Sequence, residues 1–134
     1  GSTCDPGTGN DTTIVIWVNP TPDIEVSAPD TVLCNGESTT LTVSTTNSTL
    51  RGTWFYDLTV NADGQIGGAG TDQTGQSPGS FSRTLTNSDT IVHKVAYTFH
   101  PYITPDDGGS TCDPGTGNDT TIVIWVNPTP DIEV

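Results

Sequence analysis

The chain has 134 residues, of which 31% are hydrophobic and 14% charged. Sixteen acids face three bases, Arg51, Arg83 and Lys94, for a formal net charge of −13. That balance excludes a nucleic-acid binder working by phosphate neutralisation and argues against docking on anionic membranes; no apolar run of about 18 residues is present to span a bilayer.

Taken along the chain, strand signals dominate. Residues 13–18 (TIVIWV) are β-branched and aromatic, the composition that suits a strand. Asn19, Pro20, Thr21 and Pro22 follow; two prolines with one spacer favour a stiff, extended linker and cannot continue a ladder. Residues 23–26 predict a short opening strand. Residues 38–45 alternate, with Thr39, Leu41 and Val43 on one face. Residues 53–59 carry Trp54, Tyr56 and Leu58 on one face. Residues 61–80 are rich in glycine and read as a functional loop or a poorly packed edge. Phe81, Arg83 and Leu85 alternate with Ser82 and Thr84. Residues 91–99 form the longest predicted strand, with Ile91, His93, Val95, Tyr97 and Phe99 on one side. Residues 121–126 close the series, with Ile122, Ile124 and Val126 opposite Val123 and Trp125. Turn clusters separate these segments, and none has a helical period. About seven short strands predict an all-β, antiparallel, immunoglobulin-like sandwich.

An exact internal repeat organises the chain. Residues 1–26 (GSTCDPGTGNDTTIVIWVNPTPDIEV) recur letter for letter at 109–134, an offset of 108 residues. A period of that length is one domain. The expected organisation is a tandem array: residues 1–18 the final strand of a preceding repeat, 19–126 one complete repeat, and 127–134 the linker (Asn127, Pro128, Pro130) with the first strand of the next. Trp17 and Trp125, beside the linkers, are expected to pack at domain junctions. A designed or duplicated chain is the alternative.

The period also sorts the cysteines. Cys4 is the copy of Cys112, so each repeat holds two, Cys34 and Cys112. The economical expectation is a Cys34–Cys112 disulfide within each repeat, with Cys4 pairing in the preceding one; the alternative is two free thiols in a reducing compartment. No Cys-x2-Cys pair suggests zinc. His93 and His100, seven apart, point to opposite faces of a straight strand, which argues against a joint metal site. No nucleophile elbow or defensible Cys–His pair is present, so no catalytic residue is expected and the chain reads as no enzyme. Calcium is a possible ligand at Asn61–Asp63, at Asp106 and Asp107, or along 113–119, where oxygen donors cluster; Asp and Asn beside Gly also simply form turns.

The segments VLCNG (Val32 to Gly36), VAYTFHP (Val95 to Pro101) and TIVIWVNPTP (Thr121 to Pro130) resemble the PKD-like repeats of very large Bacteroidota surface proteins, whose immunoglobulin-like domains run in long tandem arrays. The resemblance covers about residues 20–130; Ile124, Trp125 and the long 61–80 region depart from it. It implies secretion, an extracellular, bacterial cell-surface location and a role in adhesion, gliding or surface filaments. It also implies O-glycosylation at Asp-Thr pairs, here Thr12, Thr31, Thr90 and Thr120. The function expected is a structural repeat of a surface fibre or adhesin stalk, with identical neighbouring repeats as partners and lateral self-association possible. The alternative is a glycan- or protein-binding module using the 61–80 loop or an aromatic face.

Overall fold

The computed structural model describes residues 4 and 6–134. Its strands are β1 (Glu25–Ser27), β2 (Val32–Leu33), β3 (Ser38–Ser44), β4 (Gly52–Ala62), β5 (Ile66–Gly67), β6 (Gln73–Gln76), β7 (Gly79–Thr84), β8 (Thr86–Asn87), β9 (His93–Pro105) and β10 (Thr120–Val126). One sheet has the order β1-β3-β7, the other β2-β10-β9-β4-β6, and β5 pairs with β8 alone. All pairings are antiparallel except β2 with β10, where Trp125 and Val126 run parallel to Val32 and Leu33. The opening segment thus switches from the first sheet to the second between β1 and β2. This is an immunoglobulin-like sandwich, as the alternation predicts.

The buried faces follow the period of two. Leu41 and Val43 of β3, Trp54, Tyr56 and Leu58 of β4, Val95, Tyr97 and Phe99 of β9, and Ile124 and Val126 of β10 are all buried. Phe81 of β7 bridges the sheets, its ring centroid 6.3 Å from Tyr97 and 6.2 Å from Phe99. Each large apolar side chain buried here contributes roughly 1.5–3 kcal/mol. On the outer face of β3 and β7, hydroxyls form a three-rung ladder: Ser38 with Thr84 at 2.6 Å, Thr40 with Ser82 at 2.8 Å and Thr42 with Ser80 at 2.9 Å.

Two expectations are corrected. The longest strand does not end at Phe99 but runs through Pro101 to Pro105. Proline is tolerated because β10 begins only opposite Phe99, so at Pro101 no strand waits for the missing N–H. Ile103, two residues on with the same orientation, donates to Cys112 O at 3.0 Å. Of the two readings of 61–80 the edge is the one found: β6 lies at the sheet's edge, paired with β4, and Ala69 is buried, its carbonyl accepting from Tyr97 Oη at 2.9 Å. Residues 13–18, expected to complete a preceding repeat, are exposed coil in this chain, while the identical sequence at 121–126 lies in β10. Residues 1–3 and 5 of the expected 1–18 strand lie outside the described residues.

The second correction concerns the disulfide. Cys4, Cys34 and Cys112 are all unbonded. Cys34 follows Leu33, which is level with Val126 and so with His93. Cys112 is level with Ile103, ten residues further along β9, or roughly 33 Å at ~3.3 Å per residue. A disulfide needs Cα atoms about 4.4–6.8 Å apart. The two cysteines occupy opposite poles of the sandwich, so a bridge within one repeat is ruled out by distance.

Candidate functional site

The residues singled out by the sequence collect at the two poles. Call the pole holding Ile103, Arg51 and Cys112 the entry pole, and the one holding His93, Cys34 and the end of β10 the exit pole. The repeated segment meets the entry pole as residues 15–26 and the exit pole as residues 123–130.

At the entry pole the linker is clamped. Asn19 Nδ2 donates to Arg51 O at 3.2 Å, and Arg51 N donates to Asn19 Oδ1 at 2.9 Å. Asn47 Nδ2 donates to Thr21 O at 3.2 Å, and Asn118 Nδ2 to Pro22 O at 2.7 Å. Pro22 is buried. The guanidinium of Arg51 lies over the Trp17 ring, its Cζ 3.7 Å from the centroid, an attraction between cation and ring quadrupole. Cys112 is half-buried and lines two adjoining clefts, one with residues 15–19, the other with residues 19–22.

At the exit pole a different set of groups meets the same sequence. Trp125 N donates to Thr31 O and Asn127 N to Leu33 O, both at 2.8 Å. Asn35 Nδ2 donates to Thr129 Oγ1 at 2.7 Å. Lys94 Nζ lies 5.2 Å from the Trp125 ring centroid. Pro130, the copy of Pro22, is exposed. At the same pole Val32, Ile91, Val92 and Trp125 are exposed apolar residues, Val32 62% and Ile91 61% exposed. Beside it, Cys34 N donates to Glu37 Oε1 at 2.7 Å, and the Glu37 carboxylate pushes the Cys34 thiol pKa up.

Two histidine–carboxylate clusters brace the long strand. His93 Nε2 lies 2.8 Å from Asp89 Oδ2, and Nδ1 3.1 Å from Asp63 Oδ2. His100 Nδ1 lies 2.6 Å from Asp119 Oδ1, and Nε2 3.0 Å from Asp113 Oδ1. The second cluster closes the gap between the start of β10 and the Cys112–Ile103 bridge. The histidines sit on opposite faces of β9, as their spacing requires. Of the carboxylates considered for calcium, Asp63 is engaged by His93, and Asp113 and Asp119 by His100; Asp106 and Asp107 belong to neither cluster. Among the described residues no group of three or more His, Cys, Asp or Glu is arranged to hold a metal ion. Sequence reasoning found both histidines but missed their partners, because Asp63 and Asp113 come from distant turns.

These clusters make stability depend on pH. Hydrogen bonds from the His93 ring to the Asp89 and then the Asp63 carboxylate raise its pKa above the ordinary 6.5. Burial opposes protonation of His100, but Asp119 and Asp113 outweigh it and its pKa also rises. A raised histidine stabilises the fold fully below about pH 6.5, and that contribution is lost as pH rises through the folded pKa. Asp63, chiefly through the Lys94 N–H, and Asp113, chiefly through the Gly115 N–H, are lowered from 3.8, so their contribution is lost as pH falls below that value. The urea midpoint is therefore expected to be higher at pH 5.5 than at pH 8.5. A His93→Gln, His100→Gln double variant should abolish that difference; persistence of the full difference would assign it to other groups.

Thr12, Thr31 and Thr90 are exposed, whereas Thr120 is half-buried in β10. No helix among the described residues is long and apolar enough to cross a membrane. No family model matches the chain, and no curated protein matches its sequence. Among solved structures, the chain is similar to a cohesin module from a Clostridium perfringens family 33 glycoside hydrolase. The two are 9% identical with a TM-score of 0.45, over 81% of this chain and 98% of that one. The class of the protein, an immunoglobulin-like β-sandwich domain, is defined by its own strand order.

Proposed function

We propose that the chain is a structural repeat of a long extracellular bacterial surface fibre or adhesin stalk, in which each sandwich adds length and each linker joins two domains stiffly. The observation that carries this reading is one sequence gripped in two ways. Residues 17–22 and 125–130 are identical, yet the entry pole holds the first copy and the exit pole the second, through different groups. In an array both grips fall on one linker. Its Asn is held by backbone to the domain before (Asn127 N to Leu33 O) and by side chain to the domain after (Asn19 with Arg51). Its Trp has Lys94 of the domain before and Arg51 of the domain after. Its second proline, exposed at one pole, is buried at the other.

A joint of this kind resists bending because each linker residue would have to release a partner on one side to move. Tension along the array loads the hydrogen bonds between β2 and β10 in shear, where several must break together. Twelve acids and three bases between residues 19 and 126, a net of −9, keep parallel arrays apart. Two of those bases are spent at the junction. No reacting group is required.

A two-period protein, residues 1–126 continued by 19–134, tests this. The 13-residue β9 sets a domain length of about 44 Å at ~3.4 Å per residue. Small-angle X-ray scattering is expected to show a maximum dimension about 40 Å greater than that of the 134-residue chain, with a rod-like distance distribution. Arg51→Ser in the second period should broaden that distribution. A compact or freely jointed particle in the unsubstituted protein would refute the reading.

A further inference from the structure

We infer that the two cysteines of the repeat form a disulfide across each domain junction, from Cys34 of one repeat to Cys112 of the next, and not within a repeat. The inference rests on the tandem-array reading and adds to it a covalent bond.

The geometry points there from both sides of the linker. Cys34 lies between Leu33, whose carbonyl accepts from Asn127 N at 2.8 Å, and Asn35, whose amide donates to Thr129 Oγ1 at 2.7 Å. It is therefore seated against linker residues 127–129. Cys112 lines two clefts, one shared with residues 15–19 and the other with residues 19–22, which sets it close to Asn19 and Thr21. Asn19 is the copy of Asn127, and Thr21 of Thr129. In an array these are one Asn and one Thr, and the two cysteines bracket them. Within one repeat the same pair is separated by the length of the sandwich. Both thiols are unbonded, Cys34 exposed and Cys112 half-buried at the mouth of its clefts, which leaves them open to reagent.

The chemistry is thiol–disulfide exchange with a small-molecule or protein disulfide as oxidant. One protein thiolate attacks the reagent's S–S bond, forming a mixed disulfide and expelling one reagent thiolate. The second protein thiolate attacks the protein sulfur of that mixed disulfide and expels the other. Two protein thiols lose two protons and two electrons; the reagent's disulfide gains them as two thiols. A bridge at every junction would stop the array lengthening by linker extension, and would make its stiffness sensitive to reductant.

The two-period protein, treated with oxidised glutathione, provides the test. Intact mass should fall by about 2 Da on formation of one intramolecular bridge. Because the repeats are identical, single substitutions assign it. Cys34→Ser in the first period and Cys112→Ser in the second should each abolish the bridge. Cys34→Ser in the second period and Cys112→Ser in the first should leave it intact. Scattering on the same samples separates the two hypotheses. An extended particle whose thiols all stay alkylatable, or pair in another pattern or between molecules, overturns the disulfide and leaves the array standing. A particle that is not extended overturns the array reading itself.

Discussion

Gly68→Ala is expected to destabilise the domain by roughly 3 kcal/mol, combining left-handed strain with an orphaned buried hydroxyl. Gly68 has φ +82°, where an L-residue is strained, and an added Cβ would lie 2.0 Å from Thr84 O. The obstacle is backbone, so it cannot swing aside; residue 68 must move instead. Its neighbour Ala69 is the plug of this wall, its carbonyl accepting from buried Tyr97 Oη at 2.9 Å and from Arg83 Nε at 3.3 Å. Displacing it leaves the Tyr97 hydroxyl without an acceptor. The urea midpoint should fall with an unchanged slope. Gly64, four residues earlier, has open space around it, and Gly64→Ala should change stability by no more than about 0.5 kcal/mol. Equally small effects at the two positions would show that Gly68 is not held against the Thr84 backbone. The contrast also decides how a binding role for this stretch can be sought. Deleting it would strip β6 from β4 and unplug Tyr97, so loss of binding on deletion would report unfolding.

The faces of the sandwich were legible in the sequence because alternation is a local record of burial. Alternation puts Leu41 with Val43, Trp54 with Tyr56 and Leu58, and Val95 with Tyr97 and Phe99 each on one face, and all are buried, whereas Ile91, expected on the same face as Val95, is exposed because β9 begins only at His93. Register was not legible, because it depends on partners far away in the chain. The disulfide expectation failed there: Cys34 and Cys112 each sit beside a linker, but nothing local says that these are linkers at opposite poles. Residues 13–18 and 121–126 make the same point within one molecule. Identical residues are coil in one place and a central strand in the other, since β2 and β9 flank only the second. The hydroxyl ladder of β3 and β7 was hidden for a related reason. Ser38, Thr40 and Thr42 gain meaning only when register sets them opposite Thr84, Ser82 and Ser80. The two grips on the repeated segment were half legible: the repeat and its tryptophans mark the segment, while Arg51, Lys94, Asn35 and Asn118 carry no local sign of their contacts with it.

Asn87→Ala is expected to cost about 3 kcal/mol, as several hydrogen bonds are lost around one buried side chain, and to loosen the exit pole. Asn87 is only 3% exposed, and its amide is fully used. Nδ2 donates to Val126 O at 2.9 Å and to Ile91 O at 2.8 Å, and Oδ1 accepts from Asp89 N at 2.9 Å. Its backbone N–H donates to Asn35 Oδ1 at 2.8 Å, and Asn35 in turn donates to Thr129. A continuous chain of hydrogen bonds thus runs from the linker threonine into the last residue of β10. Alanine would leave the buried Val126 carbonyl without a donor and free Ile91 O and Asp89 N at the partly buried rim. Asn35→Ala breaks the same chain nearer the surface, where water can replace the amide, and should cost only about 1 kcal/mol. If stability at the pole and stiffness of the joint are coupled, Asn87→Ala in the first repeat of the two-period protein should also broaden its distance distribution at urea concentrations well below the unfolding midpoint. A large loss of stability with an unchanged distribution would place the stiffness in the grip of Arg51 and Lys94 on the tryptophan, independent of the buried chain.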